Sequence, residues 1–282
     1  MLGPNRYGKS GVRVFKLHRG RDRHEITDLT VRVLLSGDYR EAHVAGDNQE
    51  VLPTDTMKNT LYGLAQDHLG PEIERFGLHV ARHLLDASDA EEVSVTLSEQ
   101  RWDHIPGAGH AFSASGAERK LARVVVNGHR ERVIAGLSGL LLLKSAGSRF
   151  SGFPWDRFTT LEETQDRILA TRLTAWWTYS DPLDDYVVIW DEVRSTLLES
   201  FATFDSASAQ NQGYEMGRAA LASHPEVGEI RLRLPNVHHL EVDLTPFAID
   251  DRGVVFQPVD KPYGDIALTV QRDGRPKTQD GS

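Results

Sequence analysis

The sequence predicts an α+β protein made of two consecutive units, each an antiparallel sheet that carries a pair of helices. Strand-like segments occur in groups, helical segments occur in pairs, and this order repeats once along the 282 residues. A doubly wound parallel sheet would instead alternate single strands with single helices. We therefore expect antiparallel sheets, and we place the two units at residues 1–135 and 136–282.

The first unit begins with two predicted strands. Residues 12–19 and 29–39 are strand-like, and the turn-rich segment 20–25 connects them. From Leu29 to Leu35 every second residue is apolar, which is typical of a strand with one buried face. Further strands are expected at residues 93–97 and in the segment 120–134, where Asn127-Gly128 is suited to a tight turn.

Two helices are predicted between these strands. The first begins at Thr54 and the second follows Pro71. Each has an apolar stripe at helical spacing, formed by Met57, Leu61, Leu64 and His68 in the first helix and by Ile73, Phe76, Val80 and Leu84 in the second.

The start of the first helix has two interpretations. Thr54 or Asp55 can cap the helix, because a hydroxyl or carboxylate oxygen accepts a backbone N–H bond there. The same geometry can also present a hydroxyl and free N–H groups to an anionic ligand.

The second unit repeats the order of the first. A strand and a glycine-rich loop are expected at residues 137–153, and a further strand at residues 173–180. One helical face is formed by Trp190, Val193, Leu197 and Phe201, and a second helix is expected at residues 207–222. Two strands, at residues 228–244 and 265–272, close the unit, and the polar last ten residues are expected to be frayed.

The composition excludes several classes of protein. The chain has no cysteine, which excludes disulfides, thiolate metal sites and cysteine nucleophiles, and it suits a reducing cytoplasm. Its net charge of -9 argues against a nucleic-acid binder. No apolar run is long enough to span a membrane, and the N-terminus lacks the apolar stretch of a signal peptide. Glycine-rich dinucleotide, P-loop and nucleophile-elbow motifs are also missing from the sequence.

Two histidine-containing patterns are candidate sites. Counting alternate residues back from Leu240 places Asn236 and His238 on an apolar face, where both need polar partners. A satisfied core histidine and a functional site both fit this pattern. His79 and His83 have the i, i+4 spacing of a metal pair, but no accompanying motif supports it, so we expect a solvated helix face.

Four further residues are ambiguous when taken singly. Lys9 fits a flexible terminal lysine, Arg167 a surface charge, Gln210 a first-turn helix residue and Phe150 a loop aromatic. Taken singly, each of these residues is only a weak indication of a ligand contact.

Taken together, six segments resemble the urate oxidase (uricase) family. They occur in order along nearly the whole chain, and they are 6-RYGKSGVRV-14, 53-PTDTMKNT-60, 136-GLSGLLLLKSAGSRFSGF-153, 160-TLEETQDRIL-169, 203-TFDSASAQ-210 and 234-LPNVHHLEVDL-244. The resemblance implies two tunnelling-fold units per chain and a homotetramer whose sheets form a β-barrel around a tunnel. It also implies oxidation of urate by dioxygen and water to 5-hydroxyisourate and hydrogen peroxide, with no metal or organic cofactor.

The family's active sites lie between subunits, and the matching positions here divide accordingly. One chain would contribute Lys9, Thr54 and Asp55, and its neighbour Phe150, Arg167, Ala209, Gln210, Asn236 and His238. Ala209 stands where a larger aliphatic residue is common, but that contact is made by the backbone. The chain ends in 278-TQDGS-282 without the Ser-Lys-Leu peroxisomal signal, so a bacterial cytoplasm is the expected location.

The residue types suit a planar purine anion. Arg167 offers a planar fork of donors, Gln210 an amide, Phe150 a ring to stack on, and Thr54 or Asp55 a backbone N–H. We hypothesise that neutral Lys9 takes a proton from the Thr54 hydroxyl, which takes one from urate.

His238 would complete this relay, and Asn236 would hold dioxygen or water over the ring. Two alternatives stay open: another tunnelling-fold enzyme acting on a pterin or a different purine, and a purine-binding protein without catalytic activity.

Overall fold

The computed structural model describes residues 1–250 and 252–272, which form two compact units. Unit 1 contains residues 1–137 and 176–190, and unit 2 contains residues 138–175 together with the described residues from 191 onward. The α+β class with antiparallel sheets is confirmed. The tunnelling-fold division at residues 135 and 136 and the oligomeric barrel stay predictions. The last ten residues lie outside the described part of the chain.

The described residues contain ten strands and five α-helices. The strands are β1 (Arg6–Arg19), β2 (His24–Ser36), β3 (Glu92–His104), β4 (Phe112–Asn127), β5 (Arg130–Lys144), β6 (Leu169–Tyr179), β7 (Val227–Arg233), β8 (His238–Glu241), β9 (Phe256–Val259) and β10 (Ala267–Gln271). The helices are α1 (Arg40–Val44), α2 (Thr54–His68), α3 (Ile73–Asp86), α4 (Tyr186–Thr203) and α5 (Ala209–Ser223), with a 3₁₀ turn at Thr245–Phe247.

Strands β1 to β4 lie side by side in the sheet of unit 1. Each pairs antiparallel with the next, and α2 and α3 pack against one face. The predicted alternation in β2 is confirmed, because its alternate residues Leu29, Val31, Val33 and Leu35 are fully buried. The stripe of α3 is confirmed as well. The stripe of α2 was partly wrong: it continues from Met57 and Leu61 to Ala65, while His68 is exposed.

A β-bulge in β1 changes which side chains face the helices. The pairing of β1 with β2 shifts register between Lys9 and Val12, and Gly11 has a φ of 71°. Glycine adopts this left-handed conformation without steric cost, and such a bulge reverses the alternation of the strand. Lys9 is consequently opposite the buried residue Val33, and Val12 is opposite Val31. Both lie on the face that carries the helices.

Unit 2 contains the antiparallel pairs β7–β10 and β8–β9. Helix α5 packs on β7 and β10, and a Cβ atom at Gly217 would come within 2.6 Å of the Val270 side chain, so this close contact requires glycine. The predicted helical face of α4 is confirmed by the burial of its four residues, Trp190, Val193, Leu197 and Phe201.

The predicted strand 228–244 is interrupted. It divides into β7 and β8 around Pro235, which has no N–H to continue a ladder. Counting alternate residues across this break was wrong, because Leu240 is 53% exposed and is not a core residue. Helix α1, the 3₁₀ turn and β9 were not predicted. None of the described helices is long and apolar enough to cross a membrane.

Unit 1 also contains a buried charged cluster. Glu74 on α3 is fully buried, and its carboxylate lies 3.3 Å from the ammonium of Lys120 on β4. Glu99 on β3 is directly opposite Lys120. Burial raises the pKa of both carboxyl groups, that of Glu99 to about 7, partly offset by attraction to Lys120. Arg101 and Asp28 are the other charged groups that act on Glu99, and their effects oppose each other.

The buried cluster predicts that stability decreases as the pH rises. The Glu99 pKa is about 7 in the folded chain and 4.5 as an isolated group. Between these values the folded chain binds more protons than the unfolded chain, so the free energy of unfolding falls with increasing pH. We expect Glu99→Gln to raise that free energy by about 1–3 kcal/mol at about pH 8 and to change it little at about pH 5.

Urea unfolding of both proteins at one protein concentration measures this effect. Glu92→Gln removes the same charge from the same strand and is the matched control. If Glu99→Gln and Glu92→Gln raised the free energy of unfolding equally at high pH, that result would contradict the assignment of the pH effect to Glu99.

Candidate functional site

The candidate site residues fall into two sets, one in each unit. Lys9, Thr54 and Asp55 belong to unit 1, and the other six belong to unit 2.

Lys9 is held within β1 and is half-buried, so the interpretation as a flexible terminal lysine was wrong. The bulge at Gly11 places Lys9 on the helix-bearing face, and its positive charge helps to lower the pKa of Asp55 on α2. Two residues earlier, the Tyr7 hydroxyl donates to the Leu52 carbonyl at 3.2 Å. This bond holds the segment that leads into α2 against the strand that carries Lys9.

The predicted side-chain cap of α2 was wrong. The helix begins at Thr54 as expected, but its N-cap residue is Pro53 and no side chain accepts an N–H bond there. The first amide bonded within the helix belongs to Met57, which donates to the Pro53 carbonyl at 3.3 Å. The preceding amides therefore have no partner within the helix, as is general for helix starts. Thr54, whose amide is among them, is half-buried.

Asp55 is bound by its own helix. Its carboxylate accepts hydrogen bonds from the side chains of Lys58 and Asn59, the latter at 3.1 Å. The hydrogen bond from Lys58 is the main cause that lowers the Asp55 pKa. The carboxylate is therefore engaged and charged, which leaves the Asp55 backbone N–H as the group available to an anion.

An open depression of about 620 Å³ in unit 2 brings Arg167, Asn236 and His238 together. Arg167 lies two residues before β6, and the segment around Asn236 pairs with the start of that strand: the Val237 amide donates to the Ala170 carbonyl at 2.8 Å. This isolated β-bridge thus brings together residues that are about 70 positions apart in the sequence.

Arg167 and Asn236 each have a buried polar atom that is free to bind a ligand. Among residues 1–250 and 252–272, Nε of Arg167 and Oδ1 of Asn236 have no hydrogen-bond partner. Burial also lowers the pKa of the Arg167 guanidinium. Buried polar atoms without partners are costly, so this donor and this acceptor suit a polar ligand.

Phe150 lies against the cation of this depression. The Arg167 guanidinium carbon is 5.0 Å from the centre of the Phe150 ring, and Phe153 stacks on the same ring at 4.9 Å. Such packing limits the motion of the Phe150 ring and of the Arg167 guanidinium plane.

His238 is half-buried at the start of β8, opposite Val259, and the interpretation as a core histidine was wrong. His79 and His83 are exposed on α3, as expected for a solvated face. No group of three or more possible metal ligands occurs within residues 1–250 and 252–272.

Ala209 and Gln210 open helix α5. Ala209 is buried and Gln210 is exposed, and the Ser208 side chain caps the helix by accepting the Asn211 amide at 3.0 Å. Gln210 therefore lies in the first turn, as one interpretation predicted, with its amide group accessible.

Sequence reasoning did not identify two residues near this set, Thr164 and Asp166. Thr164 pairs with Phe150 through two backbone bonds of 2.9 and 3.0 Å, and Asp166 binds amides of the same segment. They lie in an irregular segment where no periodic signal exists. The resemblance of segment 160–169 to a known family was the available signal, and it pointed only to Arg167.

Comparisons with known proteins identify the family of this chain. The family model described as Uricase matches residues 5–125 and 133–267. Uricase from Arthrobacter globiformis is 44% identical over 97% of this chain and 91% of its own, and uricase from Dictyostelium discoideum is 34% identical over 95% and 96%. The crystal structure of the Arthrobacter globiformis uricase superposes with a TM-score of 0.94 at 43% identity, covering 98% of this chain and 96% of that one. The chain belongs to the uricase family.

Proposed function

We propose that this chain oxidises urate with dioxygen and water to 5-hydroxyisourate and hydrogen peroxide, without a metal or organic cofactor. The observation that carries the proposal is the family match, whose two matched ranges contain all nine candidate residues. The buried Arg167 donor and Asn236 acceptor in one depression add the chemistry that a purine anion needs.

Residues of unit 2 would bind the purine. Arg167 would hold one edge of the urate anion with its fork of donors, and Gln210 would bind an amide-like edge. Phe150 would stack on the ring face. The Ala209 contact would be made by its backbone.

Residues of unit 1 would carry the proton transfers. The free amide of Thr54 or Asp55 at the start of α2 would bind urate. The Lys9 ammonium would first lose its own proton, the neutral amine would then remove a proton from the Thr54 hydroxyl, and that hydroxyl would remove one from urate. His238 would complete the relay, and the resulting dianion would reduce dioxygen held near Asn236.

We further propose a homotetramer in which each site combines the unit 1 set of one chain with the unit 2 set of its neighbour. A symmetric assembly of this kind repeats the same shared site at every equivalent interface. A cytoplasmic location belongs to the same proposal.

A stoichiometric assay tests the reaction. Protein dialysed against a chelator is expected to consume urate and dioxygen in equal amounts and to form one hydrogen peroxide per urate. Urate absorbance, an oxygen electrode and a peroxide assay measure the three quantities. The double variant His79→Ala/His83→Ala is the matched control for metal use, and it should retain wild-type turnover. Activity that appears only after a metal or flavin is added would contradict the proposal.

A further inference from the structure

Three segments of unit 2 carry most of the proposed binding residues. They are residues 147–150, which end at Phe150, residues 164–167, which end at Arg167, and residues 206–210, which end at Gln210. None of the three is a strand, although isolated β-bridges join the first to each of the others. Their mutual spacing therefore depends on a few individual hydrogen bonds.

The Asp166 carboxylate joins the first two segments. Its Oδ1 atom accepts the Gly147 amide at 2.8 Å and the Ser148 amide at 3.3 Å. The Thr164 hydroxyl donates to the Asp166 carbonyl at 2.7 Å, which fixes the backbone on the other side of the same residue. Asp166 directly precedes Arg167, so this contact sets the position of the guanidinium relative to the segment of Phe150.

The first segment is joined in turn to the start of α5. The Ser206 amide donates to the Gly147 carbonyl at 3.0 Å, and the Arg149 amide donates to the Ser206 carbonyl at 2.9 Å. Ser148 and Ser206 are completely buried. Ser208, two residues further on, caps the helix whose first turn carries Gln210. Gly147 thus binds Asp166 through its amide and Ser206 through its carbonyl.

We propose that Asp166 is a positioning residue that holds Arg167, Phe150 and Gln210 at the spacing of one purine ring. This inference rests on the proposed function, because it names how that same site is assembled. Asp166 itself binds no substrate in this scheme.

The Asp166 side chain is exposed, so its truncation opens no cavity in the core. The effect of losing it is therefore on the geometry of the site more than on folding. Contacts that hold urate equally in the ground state and the transition state change KM and leave kcat nearly constant. Lys9 and Thr54 belong to the other set, and His238 lies on β8 outside the three segments, so the loss should appear mainly in binding.

Two substitutions separate the hydrogen-bond acceptor from the charge. Asp166→Ala removes the acceptor, and it is expected to raise KM for urate by about 10- to 100-fold with kcat changed by less than about threefold. Asp166→Asn retains an oxygen at the same position, and it should remain within about threefold of wild type in KM. Asp156→Ala is the matched control, because Asp156 accepts the Phe158 amide in a local turn and joins no two segments.

Urate binding without dioxygen gives a second measurement that does not depend on turnover. Equilibrium dialysis under anaerobic conditions should rank the variants as their KM values do, with Asp166→Ala binding urate most weakly. Hydrogen exchange followed by mass spectrometry should show faster exchange at Gly147 and Ser148 in Asp166→Ala only. Circular dichroism establishes that each variant is folded.

The outcomes distinguish this inference from the proposed function. Equal urate affinity in Asp166→Ala and Asp156→Ala would overturn the positioning role, and so would an Asp166→Asn variant as weak as Asp166→Ala. Unchanged amide exchange in Asp166→Ala would overturn it as well. Wild-type protein that neither binds nor oxidises urate would instead refute the proposed function, whatever the exchange rates show.

Discussion

Lys9→Met is expected to lower kcat by about 10²- to 10⁴-fold and to leave KM for urate within a few-fold of wild type. Methionine keeps most of the length and apolar contact of lysine but has no amine to accept a proton. The amine lies on the helix-bearing face, where its charge acts on Asp55 at the start of α2. Since urate would be bound mainly by residues of unit 2, removing the base affects turnover far more than affinity.

Steady-state kinetics at saturating urate measures this loss. Thr54→Ala should reproduce it, because the proposed relay passes through that hydroxyl. Thr60→Ala is the matched control on the same helix, where the hydroxyl donates only to the Thr56 carbonyl at 2.9 Å. Lys16→Met controls for losing a lysine from β1, since Lys16 binds the Gln66 and Leu69 carbonyls. A change confined to KM in Lys9→Met would contradict the relay.

A mixture of two inactive variants is expected to regain activity if each site is shared between chains. We expect Lys9→Met and Arg167→Leu to be inactive separately. After equal amounts are unfolded and refolded together, about one site in four should combine two wild-type sets, so about a quarter of wild-type activity should return. The reason is that Lys9 would come from one chain and Arg167 from its neighbour.

The controls for this mixture address assembly and site composition. Each variant refolded alone should stay inactive, and so should Lys9→Met mixed with the double variant Lys9→Met/Arg167→Leu, where no site contains two wild-type sets. Native mass spectrometry of differently tagged chains shows whether mixed oligomers formed. Persistent inactivity in oligomers shown to be mixed would mean that each site lies within one chain.

The elements that the sequence predicted well have a regular period. The alternation in β2 and the stripes of α3 and α4 extend over several residues, so their buried faces were correct. Helix α1 and strand β9 are five and four residues long, which is too short for a period to appear. The face of Leu240 was wrong because Pro235 interrupts the strand and the alternation does not continue across it.

The candidate residues were predictable as residue types and as matches to family-like segments, but their contacts were not. Nothing in the sequence pattern indicates that the Phe150 ring lies against Arg167, or that Asp166 binds the Gly147 and Ser148 amides. These contacts join irregular segments that are distant along the chain. The expected cap at Thr54 failed for a local reason, since Pro53 occupies the N-cap position.

The sequence by itself determined the α+β order, the core faces of the regular elements and the set of polar residues open to chemistry, because each follows from local periodicity or residue type. Only the tertiary structure decided where two of those residues point. The bulge at Gly11 reverses the alternation of β1 and turns Lys9 toward the helix-bearing face. The pairing of residues 235–237 with β6 brings Asn236 beside Arg167. Both results depend on breaks in regular structure and on long-range pairing, which no local pattern specifies.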